Sequence, residues 1–537
     1  MSAIAQSTKI SLRNISTSVR AAELAIAMLS AIALALAFPK TQQSWLAPLG
    51  AAGLFWAWER LSWKRSFFIA WFAGTIFFAI NFAWFTYTVG SYVGGLAFAV
   101  VLIPALLEAL SFALTALCTK LAYRVGPAWL APAAAAAAFT IFEWLRSVDV
   151  TAVPFAQIGY SQTSTPLAIF AAYAGSFGVT FIVMLLGAYI AHAVSRRRAV
   201  PLAIVVAMVG VGWYASYSAW PARHYAPPTL RVAAVQGNIA QSIKWNKQEL
   251  PRSVERYVSL TRMLAPFHPQ LIVWPETVIT TDLNDVPYNF PWGAMTPAET
   301  HYWRGVLAAD AKLSAQFGAL ARSLRTTLVV GSLDRHWGPE GLKEYNALYT
   351  YGPNGLLIDV YDKRQLVPFA ESLPAPALFS WLPDASLIGR FGHGTQNTVI
   401  PAGALRFAPL ICWESAFADL IHAQLRNGAQ FLVIPTDDAW FGESSGTFQH
   451  AQIAQMRAIE TGEWVVQAAS TGISGIISPR GEWTHATQLD KEALIVGNVG
   501  TPPGSLFARI GPNPVMYALA ALYVFTLAIG LLTRRRA

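Results

Sequence analysis

The sequence predicts a multi-span α-helical membrane domain joined to one α/β domain, and three observations lead to this prediction. Hydrophobic residues make up 54% of the 537-residue chain and charged residues only 12%, whereas soluble domains average roughly 25% charged residues. Apolar runs of about 20 residues, long enough to cross a bilayer, crowd the first 220 residues. A long stretch of ordinary globular composition follows, in which short β-like runs alternate with helical patterns.

Eight apolar runs are predicted to span the membrane. They cover residues 21–38, 44–59, 66–89, 92–119, 126–145, 166–194, 200–220 and 515–533. A cleaved signal peptide is a poor explanation of the first run, because no small-residue cleavage site follows it. Glu108 falls inside the fourth run, where a charge costs about 2.5–3.5 kcal/mol. We interpret it as a carboxyl group facing other helices, with a functional relay as the alternative.

The basic residues indicate the orientation of these spans. The net charge is +9, but fourteen cations lie beside apolar runs, so the remainder of the chain is slightly acidic and nucleic-acid binding is not expected. These cations are Lys9, Arg13, Arg20, Arg60, Lys64, Arg65, Lys120, Arg124, Arg196, Arg197, Arg198, Arg534, Arg535 and Arg536. With the N-terminus in the cytoplasm all of them fall on the cytoplasmic side, as the positive-inside rule requires. The globular stretch is then predicted to lie outside the cytoplasm.

Proline-rich linkers over 221–229 and 501–514 bound the predicted globular domain. The chain is thereby divided into a membrane domain, 1–220, a globular domain, 230–500, a final transmembrane helix, 515–533, and a cytoplasmic tail, 534–537. The predicted strands are 230–235, 271–274, 327–331, 347–351, 356–361, 405–411, 431–435, 465–469 and 473–478, and the predicted helices are 249–264, 307–323, 416–428 and 448–461.

Three residues at the ends of strand-like runs form a set whose chemistry can be argued. Cys412 ends one run, Glu276 a second and Lys363 a third. A thiol can attack an acyl carbon, a carboxylate can take its proton, and an ammonium can stabilise the oxyanion. Taken singly, each has an ordinary structural explanation: a small buried residue, a carboxylate at a helix start and a surface lysine. The only other cysteine, Cys118, lies in an apolar run, so no disulfide is expected.

No metal or bound cofactor is expected from the sequence. It contains neither a CxxC nor an HExxH motif, and its histidines are scattered.

The segments around the three candidates resemble the nitrilase, or carbon–nitrogen hydrolase, superfamily. The similar segments are Val235–Asn238, Trp274–Glu276, Leu410–Glu414 and Asp437–Gly442. The resemblance implies an αββα sandwich over roughly 230–500 and a Glu–Lys–Cys triad in this chain order.

The chain as a whole is similar to the membrane branch of that superfamily, the apolipoprotein N-acyltransferases. The similar segments are Gln236–Ile239 with Lys244 and Trp245, Tyr361–Glu371, Ala439–Gly442 with His450, Met456–Ala458, and Phe155 with Gly159–Gln162. The order of seven spans, one external domain and one final span agrees with this resemblance. Trp413, Ala370 and Asp437 stand where Tyr, Gly and Asn are common in the family, which leaves the local shape of the site open but not its chemistry.

The resemblance implies a two-step acyl transfer. Glu276 would deprotonate Cys412, and the thiolate would take an acyl group from a membrane phospholipid, typically phosphatidylethanolamine, while Lys363 stabilises the oxyanion. The thioester would then acylate the N-terminal amine of a diacylated apolipoprotein. The implied location is the bacterial inner (plasma) membrane, with the catalytic domain facing the periplasm.

Further residues receive supporting roles. Glu371 is expected to hold Lys363 charged and oriented, and Trp413 and Glu414 to shape the pocket. The candidates for contact with substrates are Trp245, Phe379, Trp381, Trp440, Glu143 and Arg146. Three loops rich in apolar residues, 286–303, 373–391 and 439–448, are predicted to act as lids facing the bilayer, with packing of the loops on one another as the alternative.

Two other classes of function remain open from the sequence alone. A membrane-tethered amidase or nitrilase would share the triad and act on a small substrate. A transporter with a degenerate external domain finds support only in Glu108.

Overall fold

The computed structural model describes residues 21–148, 152–283, 290–338, 341–368, 370–372 and 391–534. The chain forms two compact units. One, the helical unit, comprises Met1–Val148, Val153–Ala219 and Pro512–Ala537, and the other, the α/β unit, comprises Asp149–Ala152 and Trp220–Gly511. The predicted fold class, a helical membrane domain with an αββα domain, is confirmed.

Helices occur in each apolar run of the helical unit. In chain order they are α1 Ala21–Ala35, α2 Leu46–Arg60, α3 Trp63–Asn81, α4 Phe85–Val93, α5 Ala97–Glu108, α6 Leu110–Val125, α7 Ala131–Leu145, α8 Ala171–Arg196 and α9 Val200–Ser218. Of the described residues, four segments are long and apolar enough to cross a membrane: Ala97–Val125, Pro166–Arg196, Val200–Ser218 and Asn513–Arg534. The count of eight spans stays a prediction.

Small side chains let the helices of this unit approach closely. Every residue of α7 from Ala131 to Thr140 is buried, and eight of these ten residues are alanine or proline. At Gly530 an added Cβ would lie 1.8 Å from the carbonyl oxygen of Val125. Lipid provides no hydrophobic driving force between helices, so membrane helices are held together largely by van der Waals packing. Small residues allow the close approach that this packing needs.

The described residues of the α/β unit form two six-stranded sheets. The strands are β1 Leu230–Gln236, β2 Leu271–Val273, β3 Thr327–Gly338, β4 Gly341–Tyr351, β5 Leu357–Asp362, β6 Ile400–Ala402, β7 Leu405–Pro409, β8 Phe431–Thr436, β9 Trp464–Ala469, β10 Gly475–Ile477, β11 Trp483–Ala486 and β12 Ala493–Val499. The helices are α10 Gln241–Lys244, α11 Leu250–Arg262, α12 Pro297–Leu324, α13 Ala418–Arg426, α14 Ser445–Thr461 and α15 Leu506–Ile510, and α16, Asn513–Arg534, returns the chain to the helical unit.

The strand orders are β12-β1-β2-β3-β4-β5 and β11-β10-β9-β8-β7-β6. The side chains of strand β1 alternate between two hydrophobic cores. One core, which contains Leu230, Val232 and Ala234, includes side chains of both sheets. The other, which contains Ala233 and Val235, is shared with α11 and α12. A strand buried on both faces reads as a continuous apolar run. The layers are therefore helices, sheet, sheet and helices.

The described structure differs from the sequence prediction in a few elements. Strands β6, β11 and β12 were not predicted; β6 has three residues, and β12 depends on antiparallel pairing with the distant β1. Helix α12 begins at Pro297, ten residues before the predicted start, because Thr296 and Glu299 form a capping box. The predicted lid loop 286–303 is therefore helical from Pro297 onward, and the loop 439–448 gives way to α14 at Ser445.

Candidate active site

Glu276 lies in the turn after β2. Its Oε1 accepts hydrogen bonds from the Lys363 ammonium at 2.8 Å and from the Asn346 amide at 2.7 Å. Its Oε2 accepts one from the backbone N–H of Asp437 at 2.9 Å. Burial alone would raise the pKa of Glu276, but the neighbouring Lys363 ammonium lowers it below its ordinary value. The residue is therefore held as a carboxylate and aimed by three donors.

Strand β3 runs directly beneath this turn, and only a glycine permits the approach. A Cβ at Gly331 would lie 2.0 Å from the carbonyl oxygen of Pro275 and 2.6 Å from the backbone nitrogen of Thr277. Because no side chain fits in that space, β3 supports the Glu276 turn by backbone contact.

Lys363 follows β5 directly and is fully buried. Its ammonium donates to Glu276 and, at 2.9 Å, to Oε1 of Glu371. Burial disfavours the charge, but the two carboxylates raise the pKa of Lys363 well above its ordinary value. The predicted pairing of Lys363 with Glu371 thus has a geometric basis. Glu371 also accepts from the Asn346 amide at 2.9 Å, so Asn346 bridges both carboxylates.

Cys412 follows β7 and opens a 3₁₀ turn, Cys412–Ala416. Its φ is +51°, in the left-handed region that residues with a Cβ seldom occupy. Burial raises the pKa of the Cys412 thiol well above its ordinary value; the Glu276 carboxylate raises it further, and the Lys363 ammonium lowers it. The thiol therefore rests protonated and needs a base before it can act as a nucleophile.

Glu414 connects the Cys412 turn with the Lys363 segment. Its carboxylate accepts hydrogen bonds from the backbone N–H of Ile411 and of Arg364, both at 2.7 Å, and from the Tyr361 hydroxyl at 2.9 Å. Burial raises the pKa of Glu414 to about 7. Trp413 is buried beside it. The Glu414 carboxylate thus holds the Cys412 turn and the Lys363 segment together, and the predicted role of Glu414 and Trp413 in shaping the pocket stays a prediction.

Sequence reasoning missed a buried ion pair behind Glu276. The Lys244 ammonium lies 2.5 Å from Oδ2 of Asp437 and donates to the Glu276 carbonyl oxygen at 3.1 Å. The Ser470 hydroxyl donates to Oδ1 of Asp437 at 2.5 Å. Lys244 and Asp437 appeared only as parts of family-like segments, and Asp437 as a departure from them. In the structure, the Asp437 carboxylate, which stands where the family commonly has Asn, pairs with the Lys244 ammonium.

The candidate substrate contacts fall into different surroundings. Trp245 is exposed, and Trp440 is half-buried in the turn that follows β8. Phe379 and Trp381 lie outside the described residues. None of these roles is tested by the geometry, and they stay predictions.

Arg146, in the helical unit, is engaged by the protein itself. It forms an ion pair with Glu108 at 3.2 Å and donates to the carbonyl oxygens of Val153 at 2.8 Å and Phe155 at 2.9 Å. Glu108 thus faces a cation within the same unit, which accounts for a charge in an apolar helix without a relay.

Glu143 holds the same loop from the other side. Its carboxylate accepts from the backbone N–H of Ile158 at 2.7 Å and from the Thr180 hydroxyl at 2.6 Å. The loop also needs a glycine, since a Cβ at Gly159 would lie 2.1 Å from the carbonyl oxygen of Ser176. Glu143 therefore acts in positioning this buried loop; its predicted contact with substrate stays a prediction.

Among the described residues, one group of three side chains lies close enough to hold a metal ion: Asp334, His336 and Asp362. The His336 Nε2 is 2.8 Å from a carboxylate oxygen of Asp334 and 3.3 Å from one of Asp362. Hydrogen bonds to these carboxylates raise the pKa of His336 to about 10. A protonated imidazole between two carboxylates accounts for the group, so we assign it to an ion pair.

Comparisons with known proteins identify relatives of both units. The carbon-nitrogen hydrolase family model matches residues 231–501, and that of the apolipoprotein N-acyltransferase N-terminal domain matches residues 30–189. The apolipoprotein N-acyltransferase of Methylococcus capsulatus is 31% identical over 481 residues, covering 87% of this chain and 88% of its own. That of Geobacter metallireducens is 30% identical over 499 residues, 90% of each chain. Among solved structures, an amidase from Nesterenkonia sp. covers 55% of this chain and 97% of its own at 17% identity, with a TM-score of 0.38.

Proposed function

The chain belongs to the apolipoprotein N-acyltransferase family, and from this membership we propose that it transfers a fatty acyl chain from a membrane phospholipid to the N-terminal amine of a diacylglyceryl-cysteine apolipoprotein. It is an acyltransferase with a carbon–nitrogen hydrolase domain and a multi-pass membrane protein. One observation above all supports the proposal. A buried carboxylate and a buried ammonium, Glu276 and Lys363, lie 2.8 Å apart and both act on the charge state of the Cys412 thiol.

In the first half-reaction Cys412 takes the acyl group. Glu276 accepts the proton from the thiol, and Sγ forms a bond to the ester carbonyl carbon of the phospholipid. The carbonyl oxygen becomes an oxyanion, which the Lys363 ammonium stabilises. When the oxyanion collapses, the C–O ester bond breaks and the leaving lysophospholipid oxygen takes the proton from Glu276. Cys412 then carries a thioester.

The charges of the resting site explain why proton transfer and attack occur together. The pKa of Glu276 is lowered and that of Cys412 is raised, so a free thiolate beside a protonated Glu276 is unfavourable. Attack passes the negative charge from sulfur to the oxyanion beside Lys363. A cation fixed in advance there stabilises the charge where it develops, and this effect is often the largest single contribution to catalysis.

In the second half-reaction the α-amine of the apolipoprotein attacks the thioester. Its nitrogen bonds to the acyl carbon, the C–S bond breaks, and the amine proton passes through Glu276 to the sulfur. The product is an amide, and the thiol is regenerated. One set of residues thus serves both steps, and we expect ping-pong kinetics.

The donor, location and boundaries are further parts of the proposal. Phosphatidylethanolamine is the proposed donor, and the proposed location is the bacterial inner membrane with residues 230–500 in the periplasm. The positions of the cations beside the apolar runs support this orientation. Phe379 and Trp381 are retained as proposed contacts with the acyl chain.

The experiment that tests the function compares the full-length protein with Cys412→Ala in vesicles containing phosphatidylethanolamine. The wild type is expected to gain the mass of one acyl chain on the peptide that contains Cys412. Adding a diacylated lipopeptide should then transfer that mass to the lipopeptide amine. Cys412→Ala should do neither, and N-acylation by that variant would overturn the mechanism. Release of free fatty acid, with no acylated lipopeptide, would instead identify a membrane-tethered hydrolase.

A further inference from the structure

The carbonyl group of Cys412 is held by side chains that the reaction above does not use. The His450 Nε2 lies 3.1 Å from the Cys412 carbonyl oxygen and 3.0 Å from the Ser415 hydroxyl oxygen. The Ser415 hydroxyl itself donates to the same carbonyl at 2.8 Å. On the other side of the ring, Nδ1 lies 2.9 Å from Oδ1 of Asp438. All these side chains are buried.

We infer that His450, oriented by Asp438, is a positioning residue that fixes the Cys412–Trp413 peptide so that its N–H group donates to the oxyanion. The inference deepens the proposed function and rests on it.

The planarity of the peptide bond connects His450 with that N–H group. In a trans peptide the C=O of one residue and the N–H of the next point in opposite directions within one plane. Holding the carbonyl of Cys412 toward His450 therefore directs the N–H of Trp413 away from His450. A backbone N–H fixed in this way is a typical donor to an oxyanion, because its orientation does not change during the reaction.

The backbone conformation of Cys412 requires such support. Its φ of +51° is unfavourable for a residue with a Cβ. Conformations of this kind persist where the surroundings hold them, and they concentrate at functional sites. Two hydrogen bonds to one carbonyl, from the Ser415 hydroxyl and from the His450 ring, supply that support.

The charge on His450 follows from its buried neighbours. Burial disfavours the imidazolium, but the Asp438 carboxylate outweighs it and raises the pKa of His450 above its ordinary value. A carboxylate and a carbonyl can only accept hydrogen bonds, so Nδ1 donates to Asp438 and Nε2 donates to the Cys412 carbonyl. Asp438 is itself oriented by the Thr436 hydroxyl at 2.7 Å. Its hydrogen bond to the Cys412 turn is made to the backbone carbonyl, and its charge also interacts with the Glu276 carboxylate; we therefore assign His450 the role of a positioning residue.

Two reactions of the Cys412 thiol can distinguish a loss of peptide positioning from general damage to the site. Acylation by phosphatidylethanolamine passes through an oxyanion, whereas alkylation of Cys412 by iodoacetamide does not. We therefore compare both rates in full-length His450→Asn, His450→Gln and wild-type protein in the same vesicles. The matched control is His422→Asn, because the His422 Nδ1 also bonds a backbone carbonyl, that of Ala508 at 2.9 Å.

His450→Asn should slow acylation on the order of 10²-fold, as loss of an oxyanion donor does, and leave alkylation close to wild type. An Asn amide can still reach Asp438 but not the Cys412 carbonyl. In His450→Gln the amide reaches the position of Nε2, and part of the acylation rate should return. His422→Asn should match the wild type in both reactions.

Each other result overturns a specific statement. Equal slowing of acylation and alkylation in His450→Asn would indicate a structural role alone, and wild-type acylation by that variant would exclude positioning. Failure of the wild-type protein to form a thioester, with normal alkylation, would contradict the proposed function itself. The wild-type thioester therefore distinguishes failure of the function from failure of the inference.

Discussion

At the scale of single residues, Glu276 is the point where the site's hydrogen bonds converge. Lys363, Asn346 and the backbone of Asp437 all donate to its carboxylate. Each of these donors stabilises the charged form. Burial alone would raise the pKa of Glu276, but Lys363, the nearby Lys244 ammonium and the Asn346 amide lower it below its ordinary value. The carboxylate is thereby available as a base but is held in one orientation, as general base catalysis requires.

Glu276→Gln should slow thioester formation on the order of 10²- to 10⁴-fold, the usual contribution of a positioned acid or base. The amide keeps the shape of the side chain but cannot accept the thiol proton. The rate is measured as the appearance of acylated Cys412 by mass. Glu463→Gln is the matched control, since Glu463 is also a buried carboxyl group. It precedes β9, whereas the active-site residue Ser470 follows the opposite end of that strand. Similar rates in wild type and Glu276→Gln would show that another group takes the proton.

A second prediction at this scale concerns pH and the His336 ion pair. The pKa of about 10 in the folded protein lies above the roughly 6.5 of an unfolded histidine, so folding favours the imidazolium. Its contribution to stability is fully present below pH 6.5 and is lost as the pH rises through 10. The unfolding temperature of His336→Gln should therefore fall below that of wild type at pH 6, with the difference shrinking toward pH 10. His485→Gln, an exposed histidine on β11, is the control, and a difference that widens with pH would refute the assignment.

At the scale of elements, the site depends on how closely β3 passes beneath the turn of Glu276. The turn also contains Thr277, whose φ is +47°. The contact at Gly331 is between backbones, so it transmits any displacement of β3 directly to the carboxylate. Close-packed interiors have few voids into which such a displacement could relax.

Gly331→Ala should destabilise the protein by about 1–3 kcal/mol, the typical cost of overpacking, and slow thioester formation. The added methyl group would meet the carbonyl oxygen of Pro275 at 2.0 Å. Gly338→Ala is the control on the same strand, because a Cβ there has no described atom within 4 Å. Thermal unfolding and the acylation rate are measured for both. Equal effects of the two substitutions would point to glycine's backbone freedom instead of the close contact.

At the scale of the whole molecule, the surfaces of the two units are suited to different surroundings, lipid for the helical unit and water for the α/β unit. Helix α9 has only Val205 buried among its 19 residues, and a helix so apolar and so little packed faces lipid. The α/β unit buries its apolar residues in cores on both faces of its sheets. A single chain thus joins a lipid-solvated unit to a catalytic unit, as expected for an enzyme whose proposed donor is a membrane lipid.

The orientation across the membrane can be tested with reporters at two positions. Alkaline phosphatase fused after Pro228 should be active, because the seven predicted spans before it would place it in the periplasm. Green fluorescent protein fused after Thr533 should fluoresce, since it would fold in the cytoplasm beside the final cations. The opposite pattern at both positions would reverse the proposed topology, and disagreement at one would change the number of spans.

The sequence by itself determined the membrane character, the alternation of strands and helices, and the three candidate residues of the triad. These are local signals: hydrophobic runs of a given length and periodicity, and residues at the ends of those runs. Glu276, Lys363 and Cys412 each follow an apolar strand, and the end of a strand is a position that periodicity reveals.

Only the tertiary structure decided which polar groups face one another. Lys244 and Asp437 form an ion pair across 193 positions, and Asn346 reaches Glu276 across 70. Neither residue of such a pair carries a local signal, because the sequence around a lysine does not show whether its side chain is buried or which group it faces. The αL conformation of Cys412 and its support by His450 are likewise set by packing. Periodicity is a property of a segment, whereas the partner of a buried charge depends on how distant segments are brought together.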